Sequence, residues 1–257
     1  MALSRTQELK LKRILEKQLL KSPNFYRFIA GFRKNANTDK FVFSKYIKRG
    51  ETVIDCGANI GYYTNFFRTI VGKKGCVHAF EPVPSTFDYL TKNILEYSRC
   101  KNYRLNMAGL YKTETTKYIY IPDSISGHAS LNEHQKAWNA YKIDRKEIKL
   151  TTLDTYVKSN GIKEIDFIKM DIEGAEIEAL KGGKQTLSEH LPTLHLEVNS
   201  QLLKNFKQKP ADLLDFLKTI GYKIIYYYDS NPKILNCFEN LIYSNQDINT
   251  NVIAKSG

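Results

Sequence analysis

Long apolar runs are missing from this chain, and its few cysteines form no recognisable metal or disulfide pattern. No run of about 18 apolar residues occurs, so no membrane-spanning helix is expected. The segment behind Met1 has no apolar core of the kind that a secretory signal peptide carries. The four cysteines are scattered without a C-x-x-C pair, which argues against the usual zinc sites. These absences predict a cytoplasmic protein whose thiols stay reduced.

Two common phosphate-binding fingerprints are absent as well. The chain has neither the G-x-G-x-x-G turn of dinucleotide-binding folds nor the Gly-Lys-Ser/Thr sequence of a P-loop. It has instead an Asp-x-Gly-x-x-x-Gly turn, from Asp55 to Gly61, between a strand pattern and a helix pattern. Glycines let the backbone bend sharply and approach a ligand, and the first N–H groups of a helix can bind an anion. Asp55 would repel a pyrophosphate, but it suits a ligand with an amino group beside its carboxylate.

The second predicted strand, Cys76–Phe80, ends in Glu81-Pro82. Glu81 lies 20 residues after Gly61, where an acid at the tip of the strand can accept hydrogen bonds from both hydroxyls of a ribose. S-adenosylmethionine has an amino-acid end, a ribose and a sulfonium, so it matches the turn and the acid together. The alternative is an α/β core turn that binds no ligand.

Strand and helix patterns continue to alternate after Glu81. A helix pattern opens at Pro84, and a third strand, Tyr103–Met107, follows it. The order β-α-β-α-β predicts a right-handed, mostly parallel sheet of an α/β domain. Asn106, at the tip of the third strand, either hydrogen-bonds an adenine edge or caps the following turn.

Residues 111–150 interrupt the alternation. Strand patterns at Lys117–Ile121 and Glu147–Leu150 enclose a long polar stretch that contains His128. This predicts an inserted β-hairpin with a long loop, and loops of that length are usually functional or disordered. The loop is a candidate substrate lid, and His128 is either a candidate base or a solvated side chain.

Acidic residues cluster at the ends of two later strands. The strand Ile165–Met170 runs into Asp171 and Glu173, and Glu197 lies towards the end of the strand Thr193–Asn199. Ligands bind at the carboxyl edge of such sheets, so these acids are expected to border one site.

The chain closes with two predicted strands, Tyr222–Tyr228 and Asn240–Tyr243. The short turn between them contains Asn231-Pro232, so the two strands are expected to pair antiparallel.

Five motifs in this order resemble the FkbM-type S-adenosylmethionine-dependent methyltransferases, over about residues 50–245. That resemblance implies a Rossmann-like, seven-stranded methyltransferase sheet, mostly parallel, whose last two strands form an antiparallel hairpin. It also implies methylation of a hydroxyl on a glycan or a small-molecule natural product. The motifs are D-x-G-A-N-x-G-x-Y-T at Asp55–Thr64, E-P at Glu81-Pro82, T-L-D at Thr152–Asp154, K-M-D-I-E-G-A-E at Lys169–Glu176 and L-E-V at Leu196–Val198.

The resemblance also assigns parts of the cofactor to residues. It implies that Gly57, Asn59 and Gly61 line the methionine end and that Glu81 binds the ribose, while Asp171 and Glu173 border the transfer site. The residues after L-E-V depart from the family pattern, because Asn199 stands where a histidine is frequent. The predicted cofactor-binding residues are Asp55, Gly57, Ala58, Asn59, Gly61, Tyr62, Thr64, Glu81, Pro82, Asn106 and Asp171.

Transfer to a hydroxyl requires a positioned base that takes its proton. The candidates are Asp171, Glu173 and Glu197, with His128 from the inserted loop. The same acids would suit Mg²⁺, which is a less favoured alternative, or would simply complement a helix N-terminus. A nucleic-acid methyltransferase and a non-catalytic S-adenosylmethionine-binding module are the alternatives from other classes. The Asn/Asp-Pro-Pro-aromatic motif usual in amino-methylating nucleic-acid enzymes is absent after the fourth strand.

The positive charge is concentrated at the start of the chain. Residues 1–49 carry 13 Lys and Arg against 3 Asp and Glu, which is +10 of the net +12. Residues 1–40 are therefore predicted to be a basic helical extension, and residues 41–257 the methyltransferase domain. The extension either packs on the domain or on a second subunit, or it contacts an anionic membrane surface, which would make the protein peripheral to a membrane.

Overall fold

The computed structural model describes residues 38–97, 100–122, 129–132, 142–228, 236–243 and 247–257. Residues 1–37 of the predicted basic helical extension lie outside these ranges, and so does His128. The described strands are, in chain order, β1 Thr52–Cys56, β2 Cys76–Phe80, β3 Tyr103–Asn106, β4 Gly109–Leu110, β5 Thr115–Pro122, β6 Ile143–Thr151, β7 Phe167–Met170, β8 Thr193–Asn199, β9 Ile224–Tyr228, β10 Asn236–Cys237 and β11 Asn249–Lys255.

The main sheet of the described residues has the strand order β10-β9-β11-β8-β7-β1-β2-β3. The strands from β8 to β3 in this order are mutually parallel, and β11 pairs antiparallel with both β8 and β9. The predicted α/β class and mostly parallel sheet are therefore confirmed. The two-residue strand β10 adds an eighth member to the seven strands that were expected.

Both faces of this sheet are covered. Along β1, Val53 belongs to an apolar cluster on one face, and the next residue, Ile54, belongs to a cluster on the other. Phe167 and Ile168 of β7 divide in the same way, because successive side chains of a strand point to opposite faces. The helices are α1 Thr38–Tyr46, α2 Tyr62–Val71, α3 Pro84–Tyr97, α4 Leu153–Ser159, α5 Glu176–Lys181, α6 Lys184–His190, α7 Ser200–Asn205, α8 Pro210–Thr219 and α9 Phe238–Tyr243, with a 3₁₀ turn at Gly72–Lys74.

Helix α1 packs into the core of the domain. Its Phe43 is completely buried and meets the rings of Phe67 and Phe167 at centroid distances of 4.9 and 5.8 Å. Lys40 and Val42 are buried too. The predicted division after residue 40 therefore falls inside a helix that belongs to the described fold, while the extent of the basic extension before it stays a prediction.

The prediction for the last strand was wrong. Asn240–Tyr243 lies in helix α9, and the strand that pairs antiparallel with β9 is β11. Its Val252, Ile253 and Ala254 are fully buried between β8 and β9. A short apolar run such as Leu241–Tyr243 suits either a strand or a helix turn. The strand between β8 and β9 is instead formed by β11, whose residues can be buried on both faces of the sheet.

The inserted hairpin is confirmed. Strands β5 and β6 pair antiparallel from Thr115↔Leu150 to Pro122↔Ile143, and β4 joins β6 in a separate three-stranded sheet. Ile119, Ile121, Ile148 and Leu150 are buried in a small core of this sheet.

None of the helices in the described ranges combines the length and hydropathy needed to cross a bilayer.

Candidate active site

The turn after β1 needs its glycines for backbone geometry and for packing. Gly57 has φ +72°, and a Cβ atom on it would lie 2.0 Å from the carbonyl oxygen of Asp171. Gly61, with φ +87°, has no room either, because a Cβ would lie 2.7 Å from a methyl group of Leu90 in α3. Protein neighbours therefore exclude side chains at both positions. Gly57 borders the cavity described below, whereas Gly61 is not among its lining residues.

Glu81 anchors the same turn from the tip of β2. Its two carboxylate oxygens accept hydrogen bonds from the backbone N–H groups of Asn59 and Val83, both at 3.0 Å. Burial raises the pKa of Glu81 to about 7, although these two hydrogen bonds favour its ionised form. A carboxylate offers about four acceptor positions, so two further donors can still be accommodated.

An open cavity of about 290 Å³ lies between this turn and the end of β7. One wall is apolar and comes from the inserted sheet, with Ile119, Leu131, Ile148 and Leu150. The inserted segment also reaches the far side, because the Ser130 hydroxyl lies 3.5 Å from the backbone carbonyl oxygen of Glu173. Of the predicted site residues, those that line the cavity are Gly57, Ala58, Asn59, Tyr62, Glu81, Pro82, Asp171 and Glu173.

Four of the predicted cofactor-binding residues do not line this cavity, namely Asp55, Gly61, Thr64 and Asn106. Asp55 is fully buried and accepts a hydrogen bond from the Thr64 hydroxyl at 2.6 Å, so neither side chain borders the cavity. Asn106 donates to the Ala79 carbonyl at 3.1 Å and holds β2 to β3 there. This bond differs from both roles predicted for Asn106, the adenine contact and the cap of the following turn, which stay predictions. The position of Gly61 beside Leu90 is described above.

Lys169 is the central residue that sequence reasoning missed. It belongs to the β7 motif, but its neighbours Ile168 and Met170 made it look like part of a core strand. Its buried ammonium lies 3.3 Å from an Asp171 carboxylate oxygen and 3.9 Å from Asp55, and it donates to the Gly57 carbonyl at 3.1 Å. Burial lowers its pKa, but the two carboxylates outweigh burial and raise it. Lys169 therefore ties the glycine turn to the acidic loop after β7.

A buried glutamate fixes the conformation of the acidic loop after β7 through backbone hydrogen bonds. One carboxylate oxygen of Glu176 accepts the backbone N–H groups of Ile172 and Gly174, at 2.9 and 3.3 Å. Glu173 adopts φ +56°, an uncommon value for a residue with a side chain, and it lines the cavity. Burial, and then the negative charges of Asp171 and Glu176, raise the pKa of Glu173 to about 7.

Three of the predicted acids come together. Single carboxylate oxygens of Asp171, Glu173 and Glu197 lie within 4.8 Å of one another. Asp171 and Glu197 are hydrogen-bonded, and burial together with the charge of Asp171 raises the pKa of Glu197 to about 9. Burial alone would raise the pKa of Asp171, but Lys169 and the hydrogen bond with Glu197 leave it below its usual value. The pair therefore shares one proton near neutral pH.

A sequence profile described as the methyltransferase FkbM domain matches residues 55–224, from the glycine turn to β9. The chain belongs to the FkbM-type methyltransferases. This confirms the resemblance that the five motifs suggested, and the family uses S-adenosylmethionine as its methyl donor.

Curated proteins and solved structures named as methyltransferases are similar to this chain. Methyltransferase sdnD of Sordaria araneosa is 25% identical over 154 residues, covering 51% of this chain and 59% of that protein. Hexuronic acid methyltransferase AglP of Haloferax volcanii is 32% identical over 137 residues, covering 50% and 48%. The chain spans about half the length of the curated relatives it matches. A crystal structure of methyltransferase FkbM from Methylobacillus flagellatus KT covers 95% of this chain and 59% of its own, at 17% identity and a TM-score of 0.49.

The chemistry of the cavity lining suits the cofactor of the FkbM-type family. It offers a buried carboxylate with acceptor capacity left, at Glu81, and an apolar wall from Ile148 and Leu150. A ribose needs the first feature and an adenine ring suits the second. The acids Asp171 and Glu173 border the opposite side of the same cavity.

Proposed function

We propose that this chain transfers a methyl group from S-adenosylmethionine to a hydroxyl of a glycan or small-molecule acceptor. The observation that carries the proposal is the meeting of two features in one cavity, namely the carboxylate of Glu81 and the acids Asp171 and Glu173, which cluster with Glu197. The name of the relative AglP, a hexuronic acid methyltransferase, supports a sugar as acceptor.

The residues of the cavity have separate roles in this proposal. Glu81 accepts the ribose hydroxyls, and the turn from Gly57 to Asn59 borders the methionine end. The bound cofactor supplies a methyl carbon that its sulfonium has already activated. The protein then has to align the acceptor oxygen with that carbon and keep water away. The wall that the inserted sheet adds serves both tasks.

Glu173 is the best candidate for the base. It lines the cavity, and its pKa of about 7 leaves a useful fraction ionised at neutral pH. Asp171 is paired with Lys169, and Glu197 holds the proton that it shares with Asp171. Those two acids are therefore better suited to position the acceptor hydroxyl than to take its proton.

A labelled-methyl assay with four acceptor pools tests the proposal: glycans, lipid-linked sugars, small-molecule hydroxyl compounds and RNA. Glycan or small-molecule products are expected from the wild type. Glu173→Gln is expected to lower the rate by about 10²- to 10⁴-fold, the usual contribution of a general base, with cofactor affinity kept within about threefold. Glu96→Gln, an exposed acid on α3, is the matched control and is expected to retain the wild-type rate.

Other outcomes of that assay contradict the proposal. Label in RNA alone would identify a nucleic-acid methyltransferase. Cofactor binding without label in any pool would indicate a non-catalytic binding module. Because three clustered carboxylates resemble a site for a divalent cation, the assay includes exhaustive chelation. Loss of activity that Mg²⁺ restores would transfer the roles of Asp171, Glu173 and Glu197 to metal binding.

A further inference from the structure

A second cavity, of about 320 Å³, lies on the other side of the acid cluster. Its described lining consists of Thr38, Asp39, Glu197, Tyr228 and the segment Asn249–Asn251 at the start of β11. These residues come from α1 and from the ends of β8, β9 and β11 that face the same edge of the sheet as the acidic loop. The methyltransferase motifs of the sequence include only one of them, Glu197.

Glu197 connects the two cavities. It lines the second cavity, and it is hydrogen-bonded to Asp171, which lines the first. A molecule in the second cavity therefore lies next to the carboxylates that border the first. An acceptor bound there could present a hydroxyl to the transfer point without entering the space of the cofactor.

The chemistry of the second cavity differs from that of the first. Each described side chain of its lining ends in a hydroxyl, an amide or a carboxyl group, whereas the first cavity has an apolar wall. No lysine or arginine stands among the described lining residues of the second cavity. Such a surface can bind many hydroxyl groups through hydrogen bonds, but it offers an anion the Asp39 carboxylate and no cation.

Hydrogen bonds among residues of four elements, α1, α2, β8 and β9, preorganise the wall of the second cavity. The Asp39 carboxylate accepts the hydroxyl of Tyr63 at 2.6 Å and that of Tyr228 at 2.9 Å. The Tyr228 hydroxyl also lies 2.6 Å from Nε2 of the buried His195 in β8. Rigid placement of this kind reduces the ordering cost when a ligand binds.

We infer that the second cavity is the acceptor subsite and that it selects an uncharged, polyhydroxylated acceptor such as a neutral sugar unit. This inference rests on the proposed methyl transfer and narrows its substrate class. It also separates this chain from the relative named for an acidic sugar, because a hexuronate would place its carboxylate beside Asp39, with no lysine or arginine of the described lining to pair with it.

The test measures ligand binding by saturation-transfer NMR, with the full chain saturated with S-adenosylhomocysteine. The probes are the methyl glycosides of glucose, galactose and mannose, and the methyl glycosides of the corresponding hexuronic acids. We expect the wild type to bind at least one neutral glycoside and to bind its hexuronate at least tenfold more weakly. Asn249→Trp fills the cavity from an exposed position and should weaken neutral binding at least fivefold. Asn249→Lys adds a cation, so the ratio of the affinity for a neutral glycoside to the affinity for its hexuronate should be smaller than in the wild type.

Substitutions at Ser159 serve as matched controls. Ser159 is exposed at the end of α4, before β7 enters the sheet, and so lies at the opposite edge. Ser159→Trp and Ser159→Lys should leave binding of every probe unchanged.

Calorimetry of S-adenosylmethionine checks the proposed function separately, since cofactor binding does not depend on Asn249. Three results, each obtained with intact cofactor binding, would overturn the acceptor subsite. They are binding of none of the glycosides, tighter binding of hexuronates than of neutral glycosides, and an unchanged affinity of Asn249→Trp for the neutral glycoside. Absence of cofactor binding would overturn the proposed function itself.

Discussion

At the scale of single residues, the site is defined by carboxyl groups whose pKa values are displaced towards neutral. The pKa values of Glu81, Glu173 and Glu176 are each raised to about 7, mainly by burial. Their surroundings give them different tasks. Backbone N–H groups bind Glu81 and Glu176, which shape the two loops, whereas Glu173 faces the cavity at a strained backbone position.

Cofactor affinity is expected to depend on pH through Glu81. Ribose hydroxyls donate to its ionised form, and with a pKa of about 7 that form decreases from roughly nine-tenths at pH 8 to one-tenth at pH 6. Affinity for S-adenosylmethionine should therefore fall as the pH falls, by about five- to tenfold between these values. Titration calorimetry at several pH values measures this directly.

Two variants separate the effect of Glu81 from other titrating groups. Glu81→Gln should bind more weakly at pH 8 and lose this part of the pH dependence. Glu173 has a similar pKa and lines the same cavity, so Glu173→Gln is the matched control and should keep the pH dependence. A parallel pH profile in Glu81→Gln and in the wild type would remove Glu81 from the ribose contact.

At the scale of elements, helix α1 joins the segment before the motifs to the sheet that carries them. It buries Phe43 against α2 and β7, and it places Asp39 between the hydroxyls of Tyr63 and Tyr228. Tyr63 follows the glycine turn and Tyr228 ends β9, so α1 links two regions of the carboxyl edge. The helix is therefore needed for stability and for the shape of the second cavity.

Phe43→Ala should lower the free energy of unfolding by about 3–5 kcal/mol, because it removes a completely buried ring and leaves a cavity. Lys45→Ala, at an exposed position of the same helix, should change it by less than about 0.5 kcal/mol. Urea unfolding followed by circular dichroism measures both. Similar midpoints for the two variants would mean that α1 does not pack as the structure describes.

At the scale of the whole molecule, charge and chemistry are separated along the chain. Residues 1–37, which precede α1, carry nine Lys and Arg against two Glu, whereas the charged residues in the described lining of the cofactor cavity are Glu81, Lys169, Asp171 and Glu173. We propose that the basic segment directs the enzyme to an anionic membrane surface, with packing as a dimer arm as the alternative.

A truncation that begins at Thr38 tests this role and keeps α1 whole. It should bind S-adenosylmethionine like the full chain, while binding to vesicles that contain anionic lipid falls and loses its salt dependence. Each Lys or Arg near such a surface contributes about 1 kcal/mol, and salt screens the attraction within about 8–10 Å. Co-sedimentation with anionic and with neutral vesicles measures the difference.

The truncation can also contradict the membrane role. Unchanged sedimentation with anionic vesicles would exclude the basic segment as the contact. Elution of the truncated chain as a smaller oligomer would assign the segment to assembly instead.

Those parts of the protein that depend on local chemistry were predictable from its amino-acid sequence alone. The strand–turn–helix pattern at Asp55–Gly61, the acid that ends β2 and the acids after β7 were predicted in place, because apolar periodicity and motif spacing are local properties. The parallel sheet followed from the alternation of strands and helices. The family followed from five motifs in one order.

The contacts among those residues, in contrast, followed from the packing of the folded chain. Asp55 and Asp171 look equivalent in sequence, yet Asp55 is buried behind Lys169 and Asp171 faces the cavity. A side chain at Gly57 would collide with the backbone carbonyl oxygen of Asp171, which lies more than 100 residues further along the chain. Asp39 joins two tyrosines from distant elements, and β11 displaced the predicted last strand. Such contacts depend on how separate elements pack, and local patterns carry no information about packing partners far along the chain.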